Sequence, residues 1–231
     1  MKQESNIDIF AWEDGCKGDD VRNNLVLPHL NQLIDGSKFR SVIDIGCATG
    51  YITRLLANKH QLKGIEWVLL DSSEEMLHFA IAALGSQLSA KFIKVDITNS
   101  EEVQLVHPAD MAFIVFTTLE FRMTKRIAQN VADLLIPGGI LAIFLPDVLY
   151  DVIKSNPNKE DHLWQYADGH CELPKLDKFT KQPYPFHANR IETIIADFLD
   201  AGLQLLRLTI YQRNEVGKGG AIFGLDFKKG V

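Results

Sequence analysis

The stretch SVIDIGCATGYITRLL, residues 41–56, joins an apolar run to a segment with helical spacing through a short loop of small residues. The run SVIDI is typical of a buried strand, and the apolar spacing after Tyr51 predicts a helix. The tight loop from Gly46 to Gly50 brings backbone N–H groups to a helix amino terminus, where electron-rich ligand groups bind. Since glycine-rich turns between a strand and a helix are common, the loop alone is a weak sign of function.

The rest of the chain alternates between short apolar runs and segments of helical periodicity, without an internal repeat. This alternation is typical of a mostly parallel sheet covered by helices. The sequence therefore predicts an α/β fold with a doubly wound sheet. The predicted strands are SVIDI (41–45), EWVLLD (66–71), KFIKVD (91–96), DMAFIVF (110–116) and GILAIFL (139–145).

Three helices between or after these strands have clear signals. Capping-box spacing from Ser72 to Glu75 predicts the start of one helix. Apolar residues on one face predict a second helix over 125–135, which stops at Pro137. The same spacing predicts a third helix over 191–199.

The end of the chain has a different pattern. The segments LQLLRLTIYQ (203–212) and AIFGLDFKK (221–229) are separated by the turn-rich segment RNEVGKGG. This arrangement predicts an antiparallel strand pair. We therefore expect a mixed sheet of seven strands.

We expect one domain over residues 1–231, because a chain of this length and composition can bury one large core. The predicted parts are an N-terminal helical cap (1–39), a core (40–146), an insertion after the fifth strand (147–188) and the last helix with the antiparallel strand pair (189–231). Long segments in such a place are often functional lids. The insertion carries the aromatic residues Trp164, Tyr166, Tyr184 and Phe186. These rings favour a lid over a substrate pocket, although they equally suit packing of the insertion against the body.

Composition narrows the classes of partner. The formal net charge of −6 disfavours a surface that neutralises nucleic-acid phosphates. Cys16, Cys47 and Cys171 are too few and too irregularly spaced for a disulfide framework or a zinc site. The polar amino terminus and the lack of a membrane-length apolar run lead us to expect a cytoplasmic protein without a membrane partner. The sequence leaves homo-oligomerisation open.

Acidic residues follow the first three predicted strands. Asp44 lies at the end of the first strand, Asp71 ends the second, and Asp96 ends the third. Because the carboxyl ends of parallel strands meet at one edge of an open sheet, these acids are expected to line one crevice, where ligands of such sheets bind. A carboxylate about twenty residues after the glycine loop is placed to accept hydrogen bonds from ribose hydroxyls.

At these residues the chain resembles the class I S-adenosylmethionine-dependent methyltransferases, which have a Rossmann-like fold. Their acid-and-glycine motif stands here as DIGCATG, residues 44–50. The resemblance implies that Asp71 holds the ribose, that Asp96 and Ile97 meet the adenine, and that the N–H groups from Cys47 to Gly50 hold the methionyl end. It continues through ADMAFIVF and LLIPGGILAIF. The residues it assigns to S-adenosylmethionine, and to the product S-adenosylhomocysteine, are Asp44, Gly46, Cys47, Ala48, Gly50, Asp71, Ser72, Asp96, Ile97 and Phe116.

One residue departs from the family pattern. Ala48 occupies the position of the middle glycine. Its methyl group crowds the cofactor if the backbone requires a positive φ or a very close approach. If φ is negative, we expect Ala48→Gly to leave cofactor affinity nearly unchanged.

The residues around the methyl acceptor are less clearly marked. Phe116 and Thr117 are expected beside the sulfonium, with packing under the sheet edge as the alternative for Phe116. Arg22 is a candidate partner for the cofactor carboxylate, with solvent exposure as its alternative. His187 and His170 are candidate bases for an acceptor hydroxyl, because histidine titrates near neutrality. For His187, a role at the start of the following helix is the alternative.

The resemblance implies methyl transfer to an acceptor that the sequence does not name. FTTLEFRMT, residues 116–124, lacks the Asn/Asp-Pro-Pro-aromatic signature of relatives that grip an amino nitrogen, so we predict a small-molecule acceptor with an oxygen or nitrogen nucleophile. The chemistry demands no metal. The alternatives are a protein or tRNA methyltransferase and a non-catalytic cofactor-binding or partner protein. A nicotinamide-dependent oxidoreductase is disfavoured, because its G-x-G-x-x-G spacing is missing.

Overall fold

The first five strands along the chain are parallel and belong to one central sheet. The computed structural model describes residues 9–84, 89–147, 170–176, 183–212 and 220–230, and for Leu62 and residues 170–186 it describes no side chain. The seven-stranded sheet has the order β3-β2-β1-β4-β5-β9-β8, in which β8 is Leu203–Tyr211 and β9 is Ile222–Lys229. This order confirms the predicted mixed, doubly wound sheet. The parallel strands are β1 (Ser41–Ile45), β2 (Glu66–Asp71), β3 (Ala90–Lys94), β4 (Ala109–Val115) and β5 (Leu135–Pro146).

An antiparallel pair closes the other side of this sheet, as predicted. Strand β8 (Leu203–Tyr211) pairs with β9 (Ile222–Lys229), and β9 pairs with β5. A register shift between Leu205 and Arg207 marks a bulge in the edge strand. Bulges at sheet edges are common, because the extra residue twists the edge away from further pairing.

Helices cover both faces of the sheet. Leu30, Leu56 and Leu77 belong to a buried apolar cluster on one face, and Val131 and Phe198 belong to a cluster on the other. These clusters bury the central strands on both faces, which explains why the sequences of those strands are almost continuously apolar. The helices are α1 (Ile9–Lys17), α2 (Leu27–Asp35), α3 (Tyr51–Lys59), α4 (Glu74–Leu84), α5 (Ser100–Val103), α6 (Lys125–Asp133) and α7 (Ile191–Asp200).

Two predicted helix boundaries are wrong. Helix α6 ends at Asp133 instead of continuing to residue 135, because Leu135 already pairs with Ala109 in the sheet. Helix α4 is capped by Ser73 instead of Ser72. The Ser73 hydroxyl accepts a hydrogen bond from the Met76 N–H at 3.3 Å. The Asp71 carboxylate holds the Ser73 N–H at 2.9 Å, which moves the helix start by one residue.

The N-terminal cap is helical, as predicted, but its second helix begins with a π-turn over Arg22–Val26. In this turn the N–H of Leu27 bonds the carbonyl of Arg22. Pro28 follows directly and has no N–H to continue the α-helical ladder, which explains a wider turn at this point. Among the described residues, no helix combines the length and apolarity needed to cross a membrane.

The predicted insertion contains a separate two-stranded hairpin. Strand β6 (His170–Leu176) pairs antiparallel with β7 (Pro183–Asn189), so the second strand reaches one residue beyond the predicted boundary of 188. The remainder of the insertion, residues 148–169 and 177–182, lies outside the described part of the chain. The role of the insertion as a lid therefore stays a prediction.

Candidate functional site

An open crevice of about 430 Å³ of empty space lies at the carboxyl ends of the parallel strands. Its walls come from the ends of β1, β2 and β3 and from the connection that follows β4. The lining residues are Ile45, Gly46, Leu70, Asp71, Ser72, Val95, Asp96, Ile97, Thr117, Glu120 and Phe121.

Gly46 makes the first turn of the loop, with a φ of +72°. A Cβ at this position would lie 2.3 Å from the Thr117 side chain. The N–H groups of Gly46 and Cys47 both donate to the carbonyl of Leu70, at 2.8 and 3.0 Å. Gly46 is therefore required both for its backbone conformation and for the close approach of Thr117.

Ala48 takes the left-handed conformation, with a φ of +47°. The condition of a negative φ, under which Ala48→Gly was expected to be silent, is therefore not met. The Ala48 N–H donates to Asp71 Oδ2 at 2.8 Å, and the Gly50 N–H donates to the Cys47 carbonyl at 2.8 Å. These amides have partners inside the protein, so their predicted contact with the methionyl end of a cofactor stays a prediction.

Asp71 connects the loop to the second strand. Its Oδ2 accepts from Ala48 and its Oδ1 accepts from the Ser73 N–H at 2.9 Å. Burial raises the pKa of Asp71, and hydrogen bonds from the backbone N–H groups of Ser73, Ala48 and Ser72 oppose that rise. The carboxyl group lines the crevice while these donors fix its orientation.

Asp44 lies underneath the loop and does not line the crevice. The residue is 4% exposed, and its Oδ2 accepts a hydrogen bond from the Thr53 hydroxyl at 2.6 Å. Burial raises the pKa of Asp44 to about 7, with the nearby charge of Asp71 adding to the rise. Because Thr53 belongs to α3, this buried contact ties the helix to the first strand.

Asp96 and Ile97 form the wall beyond β3. Asp96 Oδ1 accepts from the N–H and the hydroxyl of Thr98, at 3.0 and 2.6 Å. The carbonyl of Ile97 accepts from the side-chain amide of Asn130 at 2.8 Å. Strand β3 ends at Lys94, two residues earlier than predicted, so both residues sit in a hydrogen-bonded turn at the crevice instead of in the strand.

Residues 116–123, the β4 connection, form a wall of which the sequence predicted Phe116 and Thr117 but not Glu120 or Phe121. Phe116 has a φ of +65°, which is rare for a side chain of this size, and a short 3₁₀ turn follows over Thr117–Leu119. The turn directs Glu120 and Phe121 to the crevice. Desolvation by the crevice walls and the negative charge of Asp71 raise the pKa of Glu120 to about 7, although by surface area the residue is exposed to solvent.

Asn189, the last residue of β7, holds the β4 connection in place. Its side-chain amide donates to the carbonyls of Thr118 and Phe121, at 2.7 and 2.9 Å. Its Oδ1 accepts from the Met123 N–H at 2.8 Å. The residue is 3% exposed, so these three hydrogen bonds form away from competing water.

The N-terminal cap packs against the other side of the loop. Arg22 pairs with Asp19, and its guanidinium carbon lies 5.0 Å from the centre of the Phe116 ring. Arg22 is therefore neither simply solvent-exposed nor part of the crevice lining. Buried Glu13 accepts from the Thr49 hydroxyl at 2.7 Å and pairs with Arg54.

The structure brings together six of the predicted site residues and places others elsewhere. Gly46, Asp71, Ser72, Asp96, Ile97 and Thr117 line the crevice. His187 lies on β7 opposite Glu172 and is not among the lining residues, so its role as a base stays a prediction. His170, Tyr184 and Phe186 have only described backbone, and Trp164 and Tyr166 lie outside the described residues. Among the described side chains, no group of three or more His, Cys, Asp or Glu is arranged to hold a metal ion.

Residues 43–141 match the profile of a known family described as a methyltransferase domain. This segment spans the glycine loop, the acids after β2 and β3, and most of β5. Over these residues the chain is similar to methyltransferase domains. The resemblance recognised from residues 44–50, Asp71 and Asp96 therefore agrees with the matched domain, and the fold that it implied is confirmed.

Curated relatives share the methyltransferase domain at low identity. Trans-aconitate 2-methyltransferase from Rhizobium leguminosarum is 32% identical over 114 residues, which are 48% of this chain and 41% of that protein. Malonyl-[acyl-carrier protein] O-methyltransferase 2 from Ilyobacter polytropus is 25% identical over 173 residues, 71% of this chain and 64% of that protein. The chain thus spans less than two thirds of the length of these relatives.

A solved structure shares the fold over nearly the whole chain. An S-adenosylmethionine-dependent methyltransferase from Mesorhizobium loti superposes with a TM-score of 0.67 at 17% identity. The superposition covers 93% of this chain and 100% of that one. The two proteins therefore share the arrangement of strands and helices.

Proposed function

We propose that the protein is an S-adenosylmethionine-dependent methyltransferase acting on a small molecule. The single observation that carries this proposal is the crevice at the strand ends of a methyltransferase domain, in which Asp71 and Asp96 face the same space. The positions of these acids suit a nucleoside that lies across β2 and β3. When bound, the cofactor supplies a methyl group on a cationic sulfur, and transfer leaves the C–S electron pair on sulfur.

The residues present fit the nucleoside end of such a cofactor. An ionised carboxylate offers about four lone-pair positions, and backbone N–H groups occupy three of those of Asp71. Capacity therefore remains for a ribose hydroxyl. Ile97 and Phe121 supply apolar walls suited to the faces of an adenine ring. In-line methyl transfer mainly requires alignment of the reacting groups and exclusion of water, which a crevice of this kind supports.

The charge of the crevice supports a small acceptor over a nucleic acid. The ionisable side chains among its lining residues, Asp71, Asp96 and Glu120, are all acidic. An acidic crevice repels phosphates and attracts cations. Relatives named for trans-aconitate and for a malonyl group on a carrier protein show that related domains serve different acceptors.

Calorimetry with S-adenosylmethionine tests the cofactor site. The wild type should bind one molecule per chain, and Asp71→Asn should weaken binding about ten- to a hundredfold through loss of charge-assisted hydrogen bonds. Asp110→Asn is the matched control, because Asp110 also accepts backbone hydrogen bonds, from Arg40 and Ser41 at 2.9 Å, but lies at the opposite edge of the sheet. No heat at millimolar cofactor would refute the proposal.

A second measurement separates an enzyme from a non-catalytic binding protein. Formation of S-adenosylhomocysteine is followed with pools of small amines, alcohols, phenols and carboxylic acids, with tRNA, and with bulk protein as separate acceptors. The proposal expects product with a small-molecule pool. Product only with tRNA or protein would contradict the acceptor class, and binding without turnover across all pools would favour a non-catalytic role.

A further inference from the structure

Glu120 differs from the other two acids of the crevice in its partners. Asp71 accepts backbone hydrogen bonds, and Asp96 accepts from Thr98. The described residues offer no hydrogen-bond or ion-pair partner to the Glu120 carboxyl group, although its backbone N–H donates to the Thr117 carbonyl. An acid that lines an open crevice without a partner is a candidate for contact with a ligand.

The order of strands predicts how the proposed cofactor would be oriented along the crevice. Along the sheet the sequence is β3, β2, β1 and β4. The nucleoside end of the proposed cofactor lies over β3 and β2, where Asp96 and Asp71 stand. The sulfur end then extends towards β1 and β4. Glu120 is the acid that arrives on the β4 connection, beside Thr117 and the Gly46 loop.

We propose that Glu120 provides the negative charge that distinguishes the cationic methyl donor from its neutral product. This inference rests on the proposed function and deepens it. A carboxylate near the sulfonium attracts the donor, and the attraction is lost once the sulfur becomes a neutral thioether. The donor is then bound in preference to the product, which favours product release.

No basic side chain lines the described part of the crevice to balance the negative charge of Glu120. The charged groups that line the crevice with it are Asp71, at the end of β2, and Asp96, beyond β3, and both are acids. Burial and the negative charge of Asp71 raise the pKa of Glu120, so a cation entering the crevice gains a partner and favours ionisation of Glu120. Because ionisation occurs near neutrality, the preference for a cation should appear above about pH 7 and fade below it.

Asn189 acts as a positioning residue for this contact. Its hydrogen bonds to Thr118, Phe121 and Met123 flank Glu120 on both sides along the chain. These hydrogen bonds restrict the backbone conformation on both sides of Glu120 and so fix the position of its carboxyl group. Loss of the Asn189 side chain should therefore reduce the discrimination between donor and product without removing the charge itself.

The test compares three ligands by calorimetry: S-adenosylmethionine, S-adenosylhomocysteine, and an analogue with an ammonium group in place of the sulfonium. Wild type, Glu120→Gln and Asn189→Ala are titrated at about pH 6 and pH 8, on either side of the Glu120 pKa. Glu101→Gln is the matched control, since it removes the same charge from an exposed position on α5.

We expect Glu120→Gln to weaken both cationic ligands about five- to tenfold at the higher pH while the affinity for S-adenosylhomocysteine stays the same. The wild-type preference should shrink at the lower pH, and the variant should lack this dependence. Equal weakening of all three ligands would make Glu120 a nucleoside contact and overturn the inference, as would unchanged affinities. Absence of binding in the wild type would instead refute the proposed function.

Discussion

Two walls of one crevice are built in different ways. The strand-end region, residues 44–50, 71–72 and 96–97, is held by bonds between neighbouring strand ends, such as the 2.8 Å contact from the Ala48 N–H to Asp71. The β4 connection instead depends on Asn189, which lies 66 to 71 residues further along the chain from the groups it binds. The first wall is thus fixed by the sheet, and the second by one remote side chain.

Under the proposed function, this difference assigns binding of the nucleoside to the strand-end region and recognition of the reacting end to the β4 connection. Acids in the strand-end region are already oriented by backbone donors and suit a constant ligand. Glu120 on the β4 connection carries no such partner, and its position depends on the strand that ends the inserted hairpin. Changes in the hairpin can therefore reach the crevice through Asn189 without disturbing the sheet.

The largest expected effect lies in the strand-end region and appears as pH-dependent stability. The folded pKa of Asp44, about 7, exceeds its ordinary value of 3.8, so the folded state holds a proton that the unfolded state releases between these values. Stability therefore falls as pH rises through this window, by up to about 4 kcal/mol. Asp44→Asn removes this loss and keeps an oxygen for Thr53. Urea unfolding should show the variant gaining on the wild type from about pH 4 to pH 8, and parallel pH curves would contradict the account.

Gly46→Ala tests the close approach between the two walls. The variant combines a left-handed alanine with a Cβ 2.3 Å from Thr117, so we expect a loss of about 3 kcal/mol in the free energy of unfolding, together with loss of cofactor binding. Gly64→Ala is the matched control, because Gly64 has a φ of +63° and no atom within 4 Å of the added Cβ. Equal effects of the two substitutions would show that the contact with Thr117 is unimportant.

Asn189→Ala tests the remote support of the β4 connection. The substitution leaves three buried backbone groups without partners, and we expect a loss of about 2 kcal/mol in unfolding free energy. Asn31→Ala serves as the control, since it removes a hydrogen bond to His60 far from the crevice. A fall in donor-over-product selectivity should accompany the Asn189 change alone. The same fall in the Asn31 variant would indicate a general loss of structure.

The smallest expected effect concerns Thr118, whose buried hydroxyl has no hydrogen-bond partner among the described residues. Thr118→Val keeps the shape of the side chain and removes this unsatisfied group, so it should stabilise the protein by about 1 kcal/mol. Chemical unfolding measures the change. Destabilisation would show that the hydroxyl has a partner in solution, and the β4 connection would then be more polar inside than the structure indicates.

The sequence predicts the strand-end region well because its signals are local. Apolar runs mark the ends of the first three strands. Gly46 follows β1 directly, Asp71 is the last residue of β2, and Asp96 lies two residues after β3. The β4 connection has such a signal only at its start, where the end of the fourth strand predicted Phe116 and Thr117. Glu120 reaches the crevice only because Phe116 adopts a positive φ and Asn189 bonds the connection from the inserted hairpin. His187 is predicted as a base because histidine titrates near neutrality. The acid of the β4 connection that lines the crevice is instead Glu120.

A structure with bound S-adenosylhomocysteine tests the central claim most directly. We predict that a ribose hydroxyl contacts Asp71, that the adenine lies beside Asp96 and Ile97, and that the sulfur points towards Thr117 and Glu120. A nucleoside bound elsewhere, or bound with its sulfur directed away from the β4 connection, would contradict it.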